Sequence, residues 1–110
     1  MKIYRGKNSG QGGGQAVVVF NESTGAVRPL RHIPRHSPDG FQWGYGGSGP
    51  SDLALSILAD AVGLEMADRR GLYQLFKDEF IARAGTVLEI REEDVLSFVA
   101  LYERKWATEG

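Results

Sequence analysis

"HSPDGFQWGYGGSGPSDLALSIL", residues 36 to 58, is where the chain passes from one structural pattern to another. Phe41, Trp43 and Tyr45 fall at alternate positions, which predicts one face of a strand. Past Gly49 and Pro50 the pattern changes. Proline suits a first helical position, with Ser48 or Gly49 before it as cap and Asp52 in the first turn. From Leu53 to Leu64 the exceptions to an apolar or alanine run are Ser56, Asp60 and Gly63. A helix apolar nearly all round is a buried helix. The glycines between the two halves pose a question: do they cradle a ligand, or let backbone pack against backbone?

Towards the N-terminus the signals are those of strands. Lys2 to Arg5 alternates polar and apolar residues, and AVVVF at 16 to 20 is β-branched and uninterrupted. NESTG at 21 to 25 is turn chemistry, so AVRPL reads as the second arm of a hairpin, which Pro29 makes either an edge strand or one ending in a bulge. NSGQGGGQ at 8 to 15 predicts a mobile hairpin loop. FQWGY would close a small antiparallel sheet in the first 45 residues.

Towards the C-terminus a helix is expected over 67 to 84, carrying Leu72, Phe76 and Phe80 at a spacing of four and ended by Gly85. Thr86 to Ile90 predicts an extended segment. A last helix over 91 to 107 carries a stripe of Val95, Phe98, Val99, Tyr102 and Trp106. Glu92, Glu93 and Asp94 complement its positive end, and Arg104 and Lys105 its negative end. The expected fold is therefore α+β: one domain over 1–110, with a small antiparallel sheet of three or four strands packed by three helices.

Composition bounds the function. The chain has 110 residues, 42% hydrophobic and 25% charged, and no cysteine. That is the balance of a water-soluble domain without disulfides or thiolate metal sites. No apolar run approaches a membrane span, and MKIYRGKNSG lacks the apolar core of a signal peptide, so a cytoplasmic protein is expected. Net charge is −1, which argues against strong nonspecific binding to nucleic acid. The charge is unevenly spread. Residues 1 to 38 hold six Lys or Arg against Glu22, and the remainder holds seven bases against thirteen acids. A basic sheet edge facing acidic helices, within one molecule or across a homodimer, is the simplest account.

The candidate sites are few. Gly46, Gly47 and Ser48 at a helix N-terminus would offer N–H groups to an anion, helped by Arg28, Arg31 and Arg35. The loop lacks the Lys-Ser/Thr ending of a phosphate-binding loop, and Pro50 spoils a G-x-S-x-G elbow. His32 and His36 are four apart, but Pro34 and Pro38 exclude a helix and two arginines would resist a cation, so solvated loop histidines are expected and no metal. No cofactor motif is present. Trp43, Tyr45, Tyr102 and Trp106 are candidates for protein contact, although Trp43 and Tyr45 are read first as cover for the buried helix. The last two lie near the terminus, where large aromatics need something to dock on, either this sheet or a second copy, and a homodimer is expected.

"GFQWGYGGSGPSDLALSIL" at 40 to 58, with "MKIYRG" and "LYQLFKDEFIAR" at 72 to 83, resembles a family of small bacterial and phage proteins of unknown function that share a G-F-x-W-G-Y-x-G-S-G-P-x-x-L-A-L motif. The resemblance implies a phage or mobile-element accessory setting and supplies no catalytic residue. The leading expectation is a non-enzymatic protein that acts by contacting another protein. The alternative is a nucleotide or nucleic-acid binder using residues 28 to 35 and the glycine loop.

Overall fold

The computed structural model describes residues 1–10 and 13–109. Strands β1 (Lys2–Lys7), β2 (Val17–Asn21) and β3 (Val27–Pro29) come from the first third of the chain, as expected, with the β2–β3 turn at NESTG. The fourth strand of the antiparallel sheet is β4 (Val87–Arg91), and the order is β3-β2-β1-β4. FQWGY is not a strand: Phe41 makes one isolated bridge to Gln15 and the rest is irregular. Gly40 and Gly44, both at positive φ, interrupt the extended backbone on either side of Phe41 and Trp43. Residues 11 and 12 of the expected mobile loop lie outside the described residues.

One face of the sheet carries Tyr4, Val17, Val19, Leu88 and Ile90 into the main core. Against it packs α1 (Ser48–Val62), buried without interruption from Gly49 to Leu58. The helix starts two residues before Pro50, at Ser48, with Gly47 as cap and no side chain capping it. Asp52 therefore lies beyond the first turn, and is buried.

The stretch from 67 to 84 is not one helix. α2 (Leu64–Asp68) ends in a tight 3₁₀ turn, Arg69–Gly71, where Arg70 takes φ 51° and Gly71 φ 69°. α3 (Leu72–Phe76) then runs into a π-helical turn, Lys77–Ile81. The turn ends before Gly85, through Ala82 and Arg83. α4 (Glu92–Glu109) follows β4 directly, with Glu92, Glu93 and Asp94 in its first turn. It runs on past Arg104 and Lys105, which therefore do not occupy its last turn.

Candidate functional site

The residues that interrupt the apolar run of α1 share one side of it. Asp52, Ser56 and Asp60 are four apart, one above another on the helix. Each fastens a different piece of chain. Asp52 is fully buried, and its carboxylate accepts from the backbone N–H of His36 (2.8 Å) and Ser37 (3.0 Å) and from His32 Nε2 (2.9 Å). A carboxylate only accepts, so Nε2 carries the proton. Ser56 Oγ accepts from Ile33 N–H at 3.0 Å. Asp60 accepts from Arg28 Nη2 (2.6 Å), Tyr4 Oη (2.8 Å) and Lys2 Nζ (3.2 Å). Burial pushes the Asp60 carboxyl up, but hydrogen bonds from Arg28, Tyr4 and Lys2 outweigh it and hold the group below its ordinary range. The Tyr4 hydroxyl is pushed well above its ordinary value by burial and by its bond to that carboxylate.

This ladder answers for the segment 28 to 37, which has no sheet or helix partners for most of its backbone. Buried backbone donors must be paired, and here the side chains of α1 supply the acceptors. His32 also lies on Phe41, with ring centroids 4.7 Å apart. His36 Nε2 and the Tyr73 hydroxyl are hydrogen-bonded at 2.7 Å. The histidines expected as solvated loop residues are hydrogen-bonded to core elements, His32 half-buried and His36 still exposed, and among the described residues no three His, Asp or Glu gather as a metal site would require.

The glycine loop has a packing role. Gly44 takes φ 89° and its N–H bonds to the Ile81 carbonyl at 3.0 Å. A Cβ at Gly49 would sit 2.8 Å from Gln42 Cβ, so the start of α1 presses directly on the FQW segment. Trp43 is 3% exposed, lies over Gly6 of β1, and donates from Nε1 to the Gly85 carbonyl at 2.7 Å. Phe41 is buried beside it, whereas Tyr45 is 52% exposed and does not share their face.

Beside Gly46 to Ser48 opens a polar cleft of about 520 Å³, lined by Ser37, Asp39, Gly40, Gln42, Tyr45 and Ser48 among others. Its charged group is Asp39. The arginines expected to converge there do not. Arg28 is committed to Asp60, Arg35 pairs with Asp68 at 2.6 Å and lies over Tyr73, and Arg31 lines a separate cavity with Ile33 and Ser56. Arg28 and Arg35 face acids of the helices within one molecule, and none of the three arginines lines the cleft beside the loop.

The terminal aromatics find their partners within the chain. Tyr102 packs on Phe98 at 5.0 Å, and Trp106 is met by Arg69 and Arg70, whose guanidinium carbons lie 5.8 and 5.1 Å from its ring centre. A surface that sequence reasoning missed lies one face round on α4. There Asp94, Ser97, Phe98 and Leu101 face Glu79 and Phe80 of the π turn across a groove of about 280 Å³. Its signal was Leu101, an apolar residue outside the stripe of Val95, Phe98, Val99, Tyr102 and Trp106.

A family model described as a family of unknown function, DUF6166, matches residues 4–101. The chain belongs to this family. The match takes in the sheet from Tyr4 of β1 onward, α1, the broken helical stretch and the first ten residues of α4. No curated protein and no solved structure matches the chain. No helix among the described residues is long and apolar enough to cross a membrane.

Proposed function

We propose that the protein is a small non-enzymatic accessory domain that works by docking another protein, in the bacterial or phage setting its sequence resemblance implies. The observation that carries this reading is the groove between the π turn and α4. Half-buried Phe80 and Leu101, 47% exposed, come together there beside buried Phe98. Apolar side chains grouped at a groove and rimmed by charge are the usual anatomy of a contact site. The chemically capable groups elsewhere support it. Asp52, Asp60, Tyr4, His32 and His36 are engaged in fastening the segment 28 to 37 and β1 to the helices, and so serve structure.

The test compares the wild-type chain with Leu101→Asn as bait in cells that produce the protein naturally. Leu101 is 47% exposed, so the substitution leaves the fold intact. A captured protein that Leu101→Asn loses is the expected result. Capture that is indifferent to Leu101 would move the contact away from this groove and overturn the reading.

A further inference from the structure

The chemistry of the groove narrows what fits it. Its floor is apolar, formed by buried Phe98 with half-buried Phe80 and exposed Leu101. Each wall contributes a carboxylate, Glu79 on the π turn and Asp94 on α4, and neither is in an ion pair among the described residues. Ser97 is already bonded to the Glu93 carbonyl at 3.0 Å, so the walls offer charge and little hydrogen-bonding competition. The lining positions of α4 run from Asp94 to Leu101, about 10 Å or two helical turns.

Phe80 lies in the π turn. Its ring stacks on Phe76 at 4.8 Å and meets Phe98 edge-on at 5.7 Å, interplanar angle 86°. Phe76 and Phe80 are four apart, the spacing that puts two side chains on one side of a helical path. Single π turns are frequent at functional sites.

We infer that the groove binds a short amphipathic helix of a partner protein, apolar on the face that enters and flanked by lysine or arginine. This rests on the docking reading above. A trough walled by two helical segments, with anchors about one turn apart, accepts residues spaced i, i+3 and i+4 on an incoming helix. Two unpaired carboxylates at its rim repel an acidic helix and attract a basic one, which sets specificity as well as encounter rate.

The test uses a dye-labelled peptide of about 15 residues, long enough to form a helix on contact, built from leucine at i, i+3, i+4 and i+7 with alanine and lysine elsewhere. A second peptide replaces each lysine by glutamate. Anisotropy titrations with the whole chain should give micromolar binding of the lysine peptide and binding weaker by at least about ten-fold for the glutamate one. The Glu79→Gln, Asp94→Asn double variant should weaken the lysine peptide by roughly five- to ten-fold, since each rim charge contributes modestly. Leu101→Asn should weaken both peptides. Equal binding of the two peptides, or lysine-peptide binding indifferent to the double variant, would overturn the inference. So would a mass doubled in solution that Leu101→Asn returns to the single chain, because the occupant would then be a second copy. If neither peptide binds while Leu101→Asn still loses a cellular partner, the helix assignment falls and the docking reading survives.

Discussion

Asp52 shows how much one side chain decides here. It sits in the most apolar helix of the chain and is fully buried, yet three donors meet it, two of them backbone N–H groups with no other acceptor. Removing it leaves those donors unpaired in the core, which costs about 3–5 kcal/mol by the scale of broken buried charge interactions. Urea denaturation of Asp52→Ala should show a loss of that size, and one under about 1 kcal/mol would mean that water replaces the carboxylate. Two glycines of the loop separate in the same way. Gly49→Ala forces a Cβ against Gln42 Cβ and its backbone N, an overpacking of about 1–3 kcal/mol. Gly47 has φ −164°, open to any residue, and its added Cβ would meet the exposed Tyr45 ring. Gly47→Ala should therefore stay within about 0.5 kcal/mol. Equal losses at the two positions would show that the loop is not pressed on the FQW segment.

At the scale of elements, what could be read from sequence was what local chemistry dictates. The β-branched run at 17 to 20, the turn at NESTG, the extended segment at 87 to 91 and the amphipathic last helix are all present. What could not be read depends on partners distant in sequence. Trp43 and Phe41 are buried as expected, but through irregular backbone laid on β1 and α1 and not through strand pairing. The middle helix fails at Arg70 and Gly71, where a positive φ in an arginine carries no sequence signal, and is compensated by the contact with Trp106. Ser56 and Asp60 stood out as breaks in the apolar run of α1, yet only the fold shows that they and Asp52 are acceptors for a segment 15 to 32 residues earlier. For the candidate site, the arginines were legible as a cluster, but their acidic partners on α1 and α2 were not.

The whole molecule is balanced by those internal pairs. Lys2 and Arg28 meet Asp60, and Arg35 meets Asp68, so the opposite charge of the two halves is largely met inside one chain. The terminal aromatics, half-buried, likewise pack on Phe98, Arg69 and Arg70. Both grounds for a homodimer are thereby weakened, and light scattering at micromolar concentration should return 12.1 kDa; a stable doubled mass would restore the second copy. Acid stability reports the same network. Asp60 has its carboxyl lowered from 3.8 in the folded state, so its contribution is complete above that value and is lost as pH falls through the folded-state value. In Asp60→Asn the fall of stability below about pH 4 should be shallower than in the wild type. An unchanged slope would mean that Asp60 is not held by Arg28, Tyr4 and Lys2.

The central claim is that a polar ladder on a buried helix holds an irregular segment as firmly as the core. Native-state hydrogen exchange at the amides of Ile33, His36 and Ser37 tests it most directly, because their acceptors are the Ser56 hydroxyl and the Asp52 carboxylate. A surface loop exchanges through small local openings, whereas a core element exchanges only on global unfolding. The three amides should show the same opening free energy as the central residues of α1 and β1, despite having no helix or strand around them. Exchange of all three at the rate of an unprotected peptide would contradict the account.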